Sequence, residues 1–281
     1  MFILKAFKDL TLMKKILYGE LPQSINVLGG LLHILQNNVF QMKMCVDSWP
    51  TFSTAICYHQ NQDLWTESGF GDINEKYSIF SKNQDTLRSL LADDKLVKWR
   101  NGFQFEAANA HSQIIHEIAS LKGFHIKEHG VYHSYIYNSR EKLELLEMSS
   151  KLSTTALNES DAELVDKQLP YGGSKESINL VRAYIKHLPS FCVVDEKGRP
   201  VSWLLTDEFN AARMGYTEPK YRRAGLAQNL MVKMIQQRTS EGLPVYGHVH
   251  EENLASIELM KGLGFTACEE TAIMVLSNNC I

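Results

Sequence analysis

The sequence lacks the features that mark several classes of protein. No apolar run reaches the about 18 residues that a membrane-spanning helix needs. The longest candidate, Ser24–Leu35, is interrupted by Asn26, His33 and a pair of glycines. The five cysteines include no CxxC pair and leave one unpaired, which argues against a disulfide framework and a zinc site and fits a reducing compartment. We expect no membrane span and no metal site.

An excess of charge of either sign is also absent. The 281 residues carry 29 basic and 32 acidic side chains, which gives a formal net charge of −3. Because nucleic acids and anionic membranes bind strongly basic surfaces, neither is an expected partner. Charged residues make up 22% and hydrophobic residues 44% of the chain, ordinary values that exclude a disordered or coiled-coil protein.

The length predicts about two domains. The polar run Asn138–Glu144 favours a boundary between residues 141 and 142, and no internal repeat is visible in the sequence. Residues 1–141 have the alternating and helical periodicities of an N-terminal α/β domain. We predict helices near residues 10–19 and 106–121, and strands near residues 40–46, 53–58, 77–80 and 125–137.

Three histidines, His125, His129 and His133, are four residues apart. On a helix that spacing could form a metal-binding face, but the nearby Gly130 and aromatic residues favour a strand. In a strand the spacing only places the three side chains on one face, so we predict no metal there.

Residues 142–281 are more clearly punctuated by caps and turns. Ser174 is positioned to cap a helix that ends before Pro189, and the turn Asp195–Gly198 predicts a β-hairpin. The expected order is β-α-α-β-β-β-α-β-α-β, an α/β (α+β) fold with a mixed sheet flanked by helices. Its later strands lie near residues 191–194, 201–205, 212–217, 245–249 and 272–276, and its later helices near 225–238 and 253–261.

The segment from Thr217 to Ala227 lies between a predicted strand and a predicted helix. Arg222, Gly225 and Ala227 give the spacing R-x-x-G-x-A. Small residues let the backbone approach a phosphate, and the free N–H groups of the helix point at it. Arg222 and Arg223 add charge-assisted hydrogen bonds. The pattern indicates a site for a phosphorylated ligand; the alternative is a plain connection that contains an arginine.

This pattern resembles motif A of the GNAT acyltransferase superfamily. The segment Asn253–Phe265 resembles the superfamily's motif B, a helix that opens with asparagine and closes on Gly-Phe. Markers in both halves of the chain resemble the glycine N-acyltransferase family more narrowly. They are Val46-Asp47-Ser48-Trp49-Pro50, Pro200-Val201-Ser202-Trp203, Tyr216-Thr217 with Pro219, and Pro244-Val245-Tyr246 with His248.

The resemblance implies transfer of an acyl group from acyl-CoA to the amino group of glycine or another small amino acid. Acyl-CoA would be a co-substrate, with no permanently bound cofactor. The N-terminal half would help to form the acyl and amine pocket. The residues implied in acyl-CoA binding are Met214, Tyr216, Thr217, Arg222, Arg223, Ala224, Gly225, Leu226, Ala227, Asn253 and Ser256.

The catalytic base departs from the family pattern. In the glycine acyltransferases a glutamate two residues before an Arg-Met pair is the proposed base, and here that position is Ala211. Met260 also replaces the tyrosine acid of many superfamily members. A substitute base is expected among Asp207, Glu208, Glu218, His248 and His250. We favour His248, whose ordinary pKa suits a base near neutral pH, together with Glu218; Asp207 and Glu208 have the pattern of a solvated hairpin tip.

Two alternatives remain open from the sequence. The protein could be an acyl-CoA-binding paralogue that lost catalysis at Ala211, or an N-acyltransferase for a different amine. Acidic residues around the cleft would favour a cationic acceptor, whereas a buried Arg213 would suit a carboxylate-bearing one.

Compartment and assembly are weakly marked in the sequence. The family resemblance implies a mitochondrial protein, but the basic N-terminal stretch contains Asp9 and Glu20 and no arginine, unlike a typical presequence. A mitochondrial or cytoplasmic monomer is the expectation.

Overall fold

A computed structural model describes residues 1–59, 75–100, 103–139, 143–170 and 172–277. At His129 and at residues 269–277 it describes the backbone alone. The predicted domain boundary between residues 141 and 142 lies outside the described residues, as does Cys280.

The described chain contains both strands and helices in each of its parts. The strands are β1 (Phe2–Leu4), β2 (Met42–Val46), β3 (Thr54–His59), β4 (Glu75–Ser81), β5 (Phe103–Ala108), β6 (Lys127–Tyr137), β7 (Ser153–Thr155), β8 (Ser190–Val194), β9 (Pro200–Thr206), β10 (Ala212–Thr217), β11 (Tyr246–His250) and β12 (Phe265–Ser277). The helices are α1 (Phe7–Gly19), α2 (Ile25–Gln36), α3 (Gln84–Leu91), α4 (Ser112–Leu121), α5 (Ala162–Asp166), α6 (Lys175–His187), α7 (Leu226–Ser240) and α8 (Leu254–Gly262).

Within the described residues, the strands form one sheet in the order β1-β2-β3-β4-β5-β12-β6-β11-β10-β9-β8-β7. The pairs β4–β5 and β10–β11 are parallel, and the other neighbours are antiparallel. The prediction of a mixed sheet flanked by helices is confirmed.

Among the described elements, the order β-α-α-β-β-β-α-β-α-β occurs twice, once in β1 to β6 and once in β7 to β12. We call these the N-terminal half and the C-terminal half. The sequence shows no repeat, but the fold does. The two halves also exchange their last strands, since β6 pairs with β11 and β12 pairs with β5. Each half therefore completes the sheet of the other.

Helices cover both faces of this sheet. The helices α1, α2, α5 and α6 lie on one face, which we call the α2 face, and share one apolar core that includes Leu28, Trp203 and Phe209. On the opposite face α3 and α4 form a second core, and α7 and α8 form a third. Glu106 on β5 and Arg213 on β10 are four strands apart in the sheet, yet Glu106 Oε1 and Arg213 Nη1 lie 3.4 Å from each other. The sheet therefore curves strongly around α2.

The loop between β9 and β10 contacts α2 across the two halves. Gly29 makes this approach possible, because a Cβ there would lie 1.8 Å from the Phe209 carbonyl oxygen. Asn210 Nδ2 also donates a 2.9 Å hydrogen bond to the Gly29 carbonyl. The loop is thereby held against the N-terminal half.

Most predicted elements are confirmed, but one is wrong in an instructive way. The helix predicted over residues 106–121 exists only from Ser112 to Leu121. Residues before it form β5, in which Phe103, Phe105 and Ala107 alternate into the core of α3 and α4. Burial of this alternating set outweighs the helical pattern that continues from Ile114. The correction moves Glu106 onto a central strand.

Two further structural findings bear on function. Across the described ranges, no helix is both long and apolar enough to cross a membrane. The same part of the chain holds no group of three or more His, Cys, Asp or Glu side chains arranged to bind a metal ion.

Candidate active site

The parallel strands β10 and β11 separate soon after they meet. In the described chain their register consists of one pair, Ala212↔Gly247. Beyond it β10 stays with β9, through Tyr216↔Trp203 and Thr217↔Ser202. The backbone N–H groups of β10 that would face β11 thus line an open cleft, where a ligand can satisfy them.

A β-bulge shapes β10 at the opening. The register with β9 shifts between Arg213 and Tyr216, and Met214 has a φ of 55°, which is uncommon for a residue other than glycine. A bulge redirects the backbone groups of the bulged strand. Such N–H groups can polarise a thioester carbonyl and stabilise the oxyanion that forms on attack.

The helix α7 begins where the cleft widens. Its N-cap residue is Gly225, which has a φ of 70° and no side chain to cap the first-turn N–H groups, and that turn holds no acidic residue. Arg223 also has a positive φ, of 65°. The loop therefore directs N–H groups and the positive end of the helix dipole towards one point, as an anion site requires.

The two predicted arginines differ in their surroundings. Arg222 Nε donates to the Thr217 carbonyl at 3.0 Å, and the guanidinium lies 5.7 Å from the Tyr216 ring centroid. Arg223 and Ala224 are exposed on the loop. Arg222 thus ties the loop to the end of β10, while Arg223 extends from it.

A segment from the connection between the halves lies against this loop. Leu146 exchanges two hydrogen bonds with the Asn229 side chain of α7, at 2.7 and 2.9 Å. A Cβ on Gly225 would lie 2.6 Å from the Leu146 side chain. The glycine therefore gives both the left-handed turn and the room for this contact.

The motif B residues have a local structural role. Asn253 is the N-cap of α8, and its side chain accepts the Ser256 N–H at 3.2 Å. Both residues lie at the start of α8, apart from the α2 face.

His248 lies on the α2 face beside the strand opening. Its Nε2 donates to Asn26 Oδ1 at 2.6 Å, and its Nδ1 accepts from the Ser134 hydroxyl at 3.2 Å. Burial lowers the pKa of His248 to about 4, although Asp207 acts in the opposite direction. The imidazole is therefore neutral at pH 7, with both nitrogens engaged, and its predicted role as base stays a prediction.

The structure does not bring the two predicted catalytic residues together. His248 is next to the pair that joins the beginnings of β10 and β11, whereas Glu218 follows the last residue of β10. At about 3.3 Å per residue, this places them on the order of 15 Å apart along the strand direction. A shared acid–base role is thus unsupported by their positions.

The position of the family glutamate is apolar here. Ala211 is buried and clusters with Ile25 of α2, Ile136 of β6 and Tyr246 of β11. Ala211 immediately precedes β10, and its contact with Ile25 of α2 places its side chain on the α2 face, where that of Arg213 also lies.

Asp207 and Glu208 are buried, so the expectation of a solvated hairpin tip is wrong. Glu208 contacts two residues of the N-terminal half, Lys76 at 3.0 Å and His59 at 3.2 Å, and accepts from the Tyr184 hydroxyl of α6. Burial raises the pKa of Glu208, but the positive charge of Lys76 and the His59 contact outweigh it and hold the pKa well below its ordinary value. The contacts with Lys76 and His59 explain why Glu208 is buried.

Three polar residues of this site were missed from the sequence. Asn26 begins α2, Glu106 lies on β5 and Ser134 on β6. All lie in the N-terminal half, and no local motif marks them. The mistaken helix over residues 106–121 also concealed the direction of Glu106.

The fold and the split strands define the class of protein. Tandem GNAT protein from the clavulanic acid biosynthesis pathway has a TM-score of 0.55 at 12% identity, over 96% of this chain and 93% of that one. A Drosophila protein of known structure has a TM-score of 0.80 at 15% identity, over 98% and 97%. The fold is that of the GNAT acyltransferases, present in two linked copies.

The sequence comparisons identify the family. Residues 1–189 match the family described as aralkyl acyl-CoA:amino acid N-acyltransferase, and residues 191–272 match its C-terminal region. Glycine N-acyltransferase of Mus musculus is 30% identical over 90% of both chains, and that of Homo sapiens 28% identical over 95% of this chain and 94% of that one. Glycine N-acyltransferase-like protein Keg1 of Mus musculus is 28% identical over 94% of both. The chain belongs to this family and is an acyltransferase.

Proposed function

We propose that the protein transfers an acyl group from acyl-CoA to the amino group of glycine or another small amino acid. The observation that carries the proposal is the opening between β10 and β11, which leads to the uncapped start of α7. The family membership supports the same reaction.

The parts of the cleft suit the parts of acyl-CoA. The pyrophosphate would bind at the N–H groups around Gly225, with Arg222 and Arg223 beside it. The pantetheine arm would lie between the separated strands, and the thioester carbonyl would accept a hydrogen bond from the bulged backbone near Met214. The amine would approach from the α2 face, where Arg213 is 23% exposed.

The test is release of free thiol from acetyl-, benzoyl- and long-chain acyl-CoA with glycine or glutamine as acceptor. We expect turnover with at least one pair. Arg222→Gln should raise KM for acyl-CoA by about tenfold, the worth of a charge-assisted hydrogen bond. Arg199→Gln is the matched control, because Arg199 pairs with Asp195 in the exposed turn between β8 and β9.

A second candidate follows from the apolar surroundings of Ala211. A protein without a base there would bind acyl-CoA and transfer nothing. Tight acyl-CoA binding without thiol release for any pair would support this function and refute the first.

The compartment, mitochondrial or cytoplasmic, stays a prediction. Subcellular fractionation would test it.

A further inference from the structure

The α2 face holds a carboxylate close to the position where the family's glutamate is missing. Glu106 projects from β5 and is 4% exposed. One of its oxygens, Oε1, lies 3.4 Å from Arg213, and the other accepts a hydrogen bond from Asn26 Nδ2 at 3.3 Å. Ala211 immediately precedes β10, and its side chain packs on the α2 face, which Arg213 shares. Glu106 therefore lies beside the stretch of chain that a glutamate at position 211 would serve.

Glu106 keeps more capacity to accept hydrogen bonds than the neighbouring acids. A carboxylate has about four acceptor sites, and both contacts of Glu106 are long for hydrogen bonds to a charged group. Asp207 accepts two backbone N–H groups at 3.0 Å and Arg213 at 3.2 Å, and Glu208 is bound by Lys76, His59 and Tyr184. Asp207 and Glu208 are thus held by the fold.

A chain of hydrogen bonds orients Glu106 from the side away from Arg213. His248 donates to Asn26, and Asn26 donates to Glu106. Ser134 fixes the tautomer by donating to the other imidazole nitrogen. His248 and Asn26 are therefore positioned to act on the orientation of Glu106.

Arg213 links Glu106 to the cleft. Its side chain is 23% exposed, and the backbone of the same residue begins the bulge that faces the thioester site. An amino acid bound at the opening would meet the guanidinium with its carboxylate, and Glu106 lies on the other side of Arg213. A general base can act through one intervening water, so Glu106 does not have to contact the amine directly.

We propose that Glu106 is the general base of the reaction and substitutes, from the N-terminal half, for the carboxylate absent at Ala211. His248 and Asn26 are positioning residues for it. This inference rests on the proposed amino acid N-acyltransferase function.

In the proposed reaction the attacking nitrogen loses two protons. The bound ammonium gives a proton through one water to the Glu106 carboxylate, and the resulting amine attacks the thioester carbon. The C–N bond forms, and the oxyanion is held by the β10 backbone. When the C–S bond breaks, the nitrogen loses its second proton. One of the two protons ends on the CoA thiolate and the other passes to solvent, which leaves an amide and free thiol.

The test is Glu106→Gln, assayed by thiol release with the acyl-CoA and amino acid that the wild type uses. We expect kcat/KM to fall by about 100-fold, with acyl-CoA affinity unchanged, because a general base contributes 100-fold or more. The wild-type rate should be nearly flat between about pH 6 and about 9. The variant's rate should rise by about tenfold per pH unit until the amine itself is deprotonated, since only free amine then attacks.

Other charged or titratable groups lie on this face of the sheet: Lys76, Asp207, Glu208, Arg213, Tyr246 and His248. All of them are present in both the wild type and Glu106→Gln. A dependence of the rate on pH that appears only in the variant therefore reports the role of Glu106.

Glu75→Gln is the matched control. Glu75 is 8% exposed, lies on neighbouring β4 and bonds the Tyr77 hydroxyl on the opposite face of the sheet. It should keep wild-type kcat/KM and pH dependence. A Glu106→Gln protein with wild-type rates, or one that loses acyl-CoA binding together with activity, overturns the role of Glu106 and leaves the proposed function standing. A wild type without turnover overturns both.

Moving the carboxylate provides an independent check. The double variant Glu106→Gln with Ala211→Glu returns an acid to the family position. We expect it to recover at least about tenfold of the lost rate and the flat pH profile. If the double variant binds acyl-CoA but recovers no rate, the two positions do not accept the same proton. That result would overturn the proposal that Glu106 substitutes for the family glutamate.

Discussion

The two halves share one element order but differ at the same structural point. In the N-terminal half, β4 and β5 stay paired from Glu75↔Phe103 to Ser78↔Glu106. In the C-terminal half, β10 and β11 pair at Ala212↔Gly247 and then separate. A GNAT fold thus forms a closed sheet or a cleft according to how far its central parallel strands stay paired.

The helices that follow these strands differ in the same sense. Asn83 caps α3 by accepting the N–H groups of Asp85 and Thr86 at 2.9 and 3.1 Å, and Asp85 adds a negative charge to the first turn. Gly225 leaves the start of α7 uncapped beside two arginines. In the N-terminal half the first N–H groups of the helix are hydrogen-bonded within the protein, whereas in the C-terminal half they are available to an anion. The N-terminal half instead contributes Asn26, Glu106 and Ser134 to the site of the C-terminal half.

The largest expected effect comes from breaking the contact that joins the halves. Glu208→Gln should destabilise the protein by about 3–5 kcal/mol, because Lys76 would be left as a buried charge without its ion pair. The free energy of unfolding, obtained from denaturation in guanidinium chloride, measures this loss. The double variant with Lys76→Met should be less destabilised than the single one. A single variant within about 1 kcal/mol of wild type would show that the halves do not depend on this pair.

Acid should loosen the same region through a buried histidine of α2. Burial lowers the pKa of His33 to about 4, while the unfolded chain titrates near 6.5. Between these values the unfolded state binds the extra proton, so stability falls as pH decreases. Wild type should lose about 2–3 kcal/mol more than His33→Gln between about pH 7 and 4.5. His116→Gln, at an exposed pair with Glu128, should behave as wild type, and equal slopes in all three would contradict the assignment.

The open half can be tested at the start of α7. Gly225→Ala adds a Cβ where φ is 70° and Leu146 is 2.6 Å away, which should weaken acyl-CoA binding by about tenfold. Gly242→Ala is matched, because Gly242 follows the same helix with a φ of 68° and nothing within 4 Å of its Cβ position. Isothermal titration with CoA should separate them. Equal affinities would place the pyrophosphate elsewhere.

The smallest effect is expected in the closed half. Asn83→Ala removes the cap of α3 and should cost about 1 kcal/mol in thermal or denaturant unfolding. Acyl-CoA affinity should not change, since this helix start is already satisfied within the protein. A loss of affinity would instead implicate the N-terminal helix in ligand binding.

Sequence patterns were informative where the chain carries local signals. Ser174 caps α6 as predicted, α8 begins at the predicted Asn253, and β10 spans Ala212–Thr217 as expected. The prediction was wrong for Glu106 and for the pair Asp207 and Glu208. Glu106 and Glu208 depend on partners from the other half of the chain. Asp207 is held within its own half by two backbone N–H groups and Arg213. No periodicity or turn signal records these contacts.

The acyltransferase family, the glycine at the start of α7 and the absence of a carboxylate at position 211 were all evident from the amino-acid sequence. These follow from short motifs, because caps, turns and phosphate loops are made by residues near one another in the chain. The exchange of β6 and β12 between the halves and the contact of Glu106 with Arg213 became visible in the folded chain. Those contacts arise from the curvature and strand order of one sheet, which join residues more than one hundred positions apart.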